Sequence, residues 1–120
     1  MKPHIDKTRF GSVTIAGERF DHDVIIRRDG RVEKRKKKLS KSLYGTSHII
    51  SRAEAEHVYE DGTARLILGA GQYGSVKLSD EAAAYLREQG CEVVLLPMAD
   101  AIWAWNEAEG QVIGLFHVTC

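Results

Sequence analysis

The stretch Leu66-Ile67-Leu68-Gly69-Ala70-Gly71-Gln72-Tyr73-Gly74-Ser75 constrains the fold more than any other part of the chain. The short run at 64–68, apolar but for Arg65, suits a strand covered on both faces, as in a parallel sheet. It stops in a glycine loop, and a helix start follows at Ser79, with Asp80 and Glu81 in the first turn where the helix dipole favours acids. Ala82, Tyr85 and Leu86 form the buried stripe of that helix, and Gly90 is placed to end it with positive φ. Residues 92–96 read as a second buried strand, stopped by Pro97. A helix over about 99–106 then puts Met98, Ala101, Ile102 and Trp105 on one side and turns Trp103 the other way. Residues 111–119 close the series as a final strand.

Upstream the pattern changes. Residues 11–36 read as β ribbon, with turns at Ala16-Gly17 and Asp29-Gly30. The arm after Asp29-Gly30 is basic along its length, which suits an edge strand. Residues 36–47 are expected to form a polar loop. Ser51 and Glu54 have the spacing of a capping box, opening a helix that runs to about Tyr59 and closes at Asp61-Gly62. Helices alternating with buried strands from residue 51 onward predict βαβ units in a three-layer α/β sandwich, flanked by N-terminal β hairpins. At 120 residues and 43% hydrophobic composition the chain is expected to be a single domain, 1–120.

Charge and cysteine usage narrow the function classes. Lys plus Arg and Asp plus Glu are 17 each, so no global charge draws the chain to nucleic acid or membrane. The basic residues nevertheless cluster, nine of them against two acids between Arg27 and Lys41. No apolar run approaches the ~20 residues that span a bilayer. The first residues lack the apolar core of an export signal. Two cysteines, Cys91 and Cys120, make no disulfide framework and fit reduced thiols in a cytoplasmic protein.

Several residues resemble a known family. Phe10-Gly11 with Gly17, then 22–26 (His-Asp-Val-Ile-Ile) and Asp29-Gly30, are similar to the opening of the small MTH-like α/β domains. The glycine loop, Pro97, Ala101, Trp105-Asn106 and the ending His117-Val118-Thr119-Cys120 are similar to their second half. The resemblance implies a three-layer α/β fold with a mixed central sheet and brings no settled catalytic activity. Its better-known members are an adipogenesis-associated protein and a mitochondrial assembly factor of respiratory complex I. The chain departs from the pattern after Asp29-Gly30, where basic residues replace a tryptophan, and at Met98, which replaces a threonine.

Candidate chemistry is sparse. Gly69 to Gly74 matches G-x-G-x-x-G, but a dinucleotide loop needs its helix to open inside the motif and an acid near the end of the next strand. Here four residues precede the cap at Ser79, and the next strand ends in Leu95-Leu96-Pro97. A small anion held by Gly69, Gly71, Gln72, Gly74, Ser75 and Lys77 is the milder possibility. His22, His48 and His117 match positions of the resembled family and, with Asn106, are candidates to share a pocket. His117 and Cys120 lack zinc-finger spacing, and residues three apart on a strand face opposite sides, so no metal is expected. Trp103 with Arg31, Arg35 and Lys37 are the candidate contact residues for a protein partner. The expectation is a cytoplasmic interaction or assembly module that self-associates or meets a protein partner, with no cofactor and no catalysis of its own. The alternative is a small-anion or metabolite-binding domain, possibly an enzyme, with its crevice at the glycine loop. Nucleic acid is not expected as a partner, because Tyr44 is the only aromatic beside the basic run.

Overall fold

The computed structural model describes residues 2–120. Its centre is a five-stranded mixed sheet made of β4 (Val24–Ile26), β5 (Val32–Lys34), β7 (Arg65–Gly69), β9 (Glu92–Leu96) and β10 (Val112–Phe116), in the order β5-β4-β10-β7-β9. Strands β10, β7 and β9 run parallel, while β4 and β5 are added antiparallel. Strands β1 (Ile5–Arg9), β2 (Ser12–Ile15) and β3 (Glu18–Phe20) form a separate antiparallel sheet.

The period-two alternation of the central strands separates two cores. On β7, Leu66 and Leu68 face one core and Ile67 the other; on β10, Ile113 and Leu115 oppose Val112 and Phe116. The first core is closed by α2 (Arg52–Val58) and α3 (Asp80–Glu88), through Ala55, Val58, Ala82 and Leu86. The second is closed by α4 (Met98–Glu107) and by the N-terminal sheet, through Met98, Ala101, Trp105, Ile5, Val13 and Ile15. Three layers therefore exist because both faces of the middle strands are apolar. Trp105 and Phe116 are wholly buried and meet edge to face at 5.8 Å, so truncating either should cost ~3–5 kcal/mol. Gly69 permits that packing, since a Cβ there would lie 2.5 Å from Sδ of Met98 and 2.8 Å from Cδ1 of Phe116.

Several local expectations need correction. Residues 36–47 are not all loop: α1 (Lys38–Tyr44) occupies the middle, and Gly45 ends it in the left-handed region at φ 71°. Only Ser40 of that helix is buried, so it shows no apolar stripe in sequence. Strand β9 is an edge strand with half-exposed residues rather than one buried on both faces. The helix capped by Ser51 ends at Val58, before Asp61-Gly62. Two two-residue strands, β6 (Ile49–Ile50) and β8 (Lys77–Leu78), pair in parallel and tie the glycine loop to the chain after α1. Finally, β10 stops at Phe116, and residues 117–120 leave the sheet.

Candidate functional site

Where residues 117–120 leave the sheet they cross a buried polar network. Asp23, one residue before β4, is 1% exposed, and Arg35, one residue after β5, is 4% exposed. The two strands pair, with the Arg35 amide donating to the Asp23 carbonyl at 3.0 Å, so the side chains are brought together. The Arg35 guanidinium donates to Asp23 Oδ2 at 2.9 Å and, by two nitrogens, to the Glu54 carboxylate at 2.6 and 3.0 Å. It also donates to the Ser47 carbonyl at 2.7 Å. Burial alone would push the Arg35 guanidinium down, but the hydrogen bonds and charges of Glu54 and Asp23 more than reverse that. One Arg fork between two carboxylates is the geometry in which buried ions become tolerable.

The network continues on both sides. Ser51 accepts from the Glu54 amide, as an N-cap should, but the Glu54 carboxylate does not return to the Ser51 amide. Ser40 of α1 takes that place, its hydroxyl accepting from the Ser51 amide at 2.9 Å and donating to Glu54. On the other side Asp23 Oδ1 accepts from the Val118 amide at 2.8 Å, and Oδ2 accepts from Nδ1 of His117 at 2.7 Å. Nε2 of His117 lies 3.0 Å from the Thr119 hydroxyl. Desolvation would raise the Asp23 carboxyl, yet the His117 and Val118 hydrogen bonds, with the charges of His117 and Lys37, hold its pKa at about 2.

Above this network opens a cavity of about 510 Å³, lined by the lysines at 34, 36, 37 and 38, by the acids Asp21 and Asp23, and by His22, Arg35, Thr119, Gly11 and Val118. Lys37 reaches to 3.8 Å of Asp23 Oδ2. Among the described residues, Lys34, Lys36 and Lys38 form no ion pair.

The glycine loop lies beside the same segment. A Cβ on Gly71, at φ 98°, would stand 2.5 Å from the Cys120 carbonyl carbon and 2.8 Å from Cδ2 of His117, so only glycine admits this approach. The loop amides of Gln72, Gly74, Ser75, Val76 and Lys77 donate to the carbonyls of Thr119, Gly71, Cys120, Ala70 and His48. The Gln72 side chain donates to Thr8 and to the Arg9 and Val118 carbonyls.

A family described as "Protein of unknown function (DUF498/DUF598)" matches residues 5–117. The chain belongs to that family. Among solved structures, this DUF498/DUF598 chain is 35% identical to a conserved hypothetical protein from Pyrococcus horikoshii, with TM-score 0.90 over 97% of this chain and 98% of that one. It is 32% identical to the protein titled MT938, with TM-score 0.83 over 99% and 100% of the two chains. A Bordetella pertussis protein described as a Mth938-like domain shares the fold at 18% identity and TM-score 0.63, over 97% and 85%. The MTH-like resemblance read from the residues is thus established, and so is the three-layer α/β architecture.

The remaining sequence candidates scatter over this DUF498/DUF598 domain. His48 meets His117 edge to face at 5.2 Å, and His22 lines the lysine cavity with its Nδ1 donating to the Asp23 carbonyl. Asn106 is elsewhere: it is not a C-cap but a clamp, its side chain accepting from the Ile5 amide and donating to the Ile5 carbonyl, both at 2.9 Å. Arg35, expected on a contact surface, is instead interior. Arg31 is exposed and pairs with Asp29 at 2.7 Å. Trp103 is 69% exposed on α4, and Tyr73 and Phe10 form an exposed aromatic pair at 6.3 Å.

The Asp23–His117–Thr119 line has the order of groups in which a histidine takes a proton from a hydroxyl. The Gly11 and Gln72 amides donate to the Val118 and Thr119 carbonyls and so are not free to hold an oxyanion there. Asp23, Glu54, Ser40 and Thr119 are not among the site residues that the sequence suggests. The one local signal was an acid, Asp23, set directly before the wholly apolar Val24-Ile25-Ile26.

Proposed function

We propose that the domain binds a small molecule carrying a phosphate or carboxylate group in the lysine-lined cavity. The carrying observation is that Lys34, Lys36 and Lys38 edge the cavity without acidic partners, while the two acids that line it are paired elsewhere, Asp23 with Arg35 and Asp21 with Arg19. Cations that line a concave wall and are not neutralised raise the local concentration of anions. Thr119 and His22, which also line the cavity, supply the few directional groups such sites use.

This differs from an anion crevice at the glycine loop itself, and the two readings separate by mutation. Inorganic phosphate and citrate titrated into the protein, followed by amide chemical shifts, should perturb 34–38 and 118–119. The double variant Lys36→Ala, Lys38→Ala should weaken binding, while Lys77→Ala leaves it intact. Loss of binding in Lys77→Ala with the double variant unaffected would return the site to the loop.

A second reading is a protein-contact module that self-associates. Trp103 favours it, since a large aromatic left 69% exposed on a helix face is the residue type that anchors interfaces. Sedimentation of the wild type beside Trp103→Glu tests it: a wild-type monomer at high micromolar concentration removes self-association. The free thiols of Cys91 and Cys120 suit a reducing compartment such as the cytoplasm. No helix among the described residues is long and apolar enough to cross a membrane.

A further inference from the structure

We propose that His48, His117 and Cys120 form a binding site for a borderline-soft divalent metal ion of the zinc class, with Asp23 orienting His117 from behind and one coordination position left open. The three residues each offer a ligand atom within 4.8 Å of the others. Cys120 Sγ stands 3.7 Å from Nε2 of His48, close to the ~3.6 Å edge expected from tetrahedral Zn–S and Zn–N bonds. Two imidazoles and a thiolate are the ligand types that select zinc and its neighbours over magnesium or calcium.

The protonation pattern suits a metal. Asp23, paired with Arg35, is a carboxylate and only accepts, so Nδ1 of His117 carries the hydrogen in the bond between them. Nε2, on the far side of the ring from Asp23, is then the nitrogen left to meet a metal, and it lies 3.0 Å from the Thr119 hydroxyl. A carboxylate behind a histidine, fixing its tautomer and raising its basicity, is the usual outer shell of a zinc-bound histidine.

The scaffold under the three residues is also built for convergence. All are held by backbone hydrogen bonds to one loop: the His117 amide to the Gly69 carbonyl at 2.9 Å, the Cys120 carbonyl to the Ser75 amide at 3.2 Å, and the His48 carbonyl to the Lys77 amide at 2.9 Å. Gly71, by lacking a Cβ, leaves room for His117 and Cys120 between the strands of that loop. His48 and Cys120 are half-exposed, so an ion can enter and the last closing movement falls on side chains free to rotate. The strand alternation that argued against a shared ion does not apply, because β10 ends before His117.

The test uses protein without a polyhistidine tag, reduced and stripped by chelator, titrated with Zn²⁺ and separately with Co²⁺. One Zn²⁺ should bind per chain, and Co²⁺ should give tetrahedral d–d bands with a thiolate-to-metal charge-transfer band. His48→Asn and Cys120→Ser, both checked for native circular dichroism, should weaken binding beyond the roughly 10–100-fold typical of losing an outer-shell partner. Cys91→Ser and the Lys36→Ala, Lys38→Ala double variant should bind as the wild type does, which keeps this result separate from that of the lysine cavity. A Co²⁺ spectrum without the thiolate band, or affinity unchanged in His48→Asn and Cys120→Ser, overturns the proposal.

Discussion

Asp23 and His117 lie 94 residues apart in sequence and 2.7 Å apart in the fold, through one hydrogen bond from Nδ1 to Oδ2. That bond joins the first strand of the central sheet to the segment that leaves its last strand. It also ties the buried Arg35–Glu54 pair to the exposed end of the site. The same carboxylate thus serves the packing of the sheet and the orientation of a histidine.

Arg35→Ala should be among the most destabilising single changes in the chain. It leaves the buried Glu54 carboxylate without its ion partner and takes the guanidinium from Asp23, and breaking a buried pair from one side costs ~3–5 kcal/mol. Arg35→Lys should recover only part, because an ammonium cannot reproduce the two-nitrogen contact with Glu54. Urea unfolding midpoints of the three proteins check both statements, and a midpoint for Arg35→Ala within error of wild type would refute the first.

Acid should weaken the fold in a defined window. The folded pKa of Asp23 is held at about 2, below its ordinary 3.8. A depressed carboxylate stabilises above its unfolded pKa, and that stability is lost as pH falls through the interval toward the folded value. The contribution is about 2 kcal/mol, present at neutral pH and fading between roughly pH 4 and 2. Denaturant titrations at successive pH values, run with chelator present, should show this slope in the wild type and a shallower one in Asp23→Asn.

The apolar elements were legible because periodicity reports burial: the 64–68 run, the Ser79 cap with its acids, and the Met98, Ala101, Trp105 stripe all appear where the pattern puts them. The polar site was not legible, for a physical reason. Asp23, Arg35, Glu54 and His117 are joined across the sheet, and no local spacing records that pairing. Glu54 even carries a misleading local signal, since its capping-box position predicts a bond to Ser51 that Ser40 makes instead. Helix α1 was hidden by its lysines, which are good helix formers but draw no apolar stripe.

Two glycines with positive φ should respond differently to alanine. Gly45 caps α1 at φ 71° with open space around a new Cβ, so Gly45→Ala should cost about 1 kcal/mol from backbone strain alone. Gly71→Ala adds overlap at 2.5 Å with Cys120 backbone and 2.8 Å with His117. It should cost about 2 kcal/mol more and displace residues 117–120. Amide shifts of Val118 and Thr119, moved in Gly71→Ala but not in Gly45→Ala, would verify the distinction.

Asn106 distinguishes a cap from a clamp. A C-cap asparagine tolerates glycine, which enters the left-handed region readily. A clamp does not, because its work is done by the side-chain amide, which here satisfies both backbone groups of the buried Ile5. Asn106→Gly and Asn106→Ala should therefore be similarly harmful, each costing ~1–3 kcal/mol from unsatisfied backbone groups and loosening β1 from α4. Hydrogen exchange gives the readout: the Ile5 amide should lose protection in both variants while the β7 and β10 amides keep theirs. If Asn106→Gly instead preserved protection at Ile5, the side chain would be shown to matter only to the end of α4.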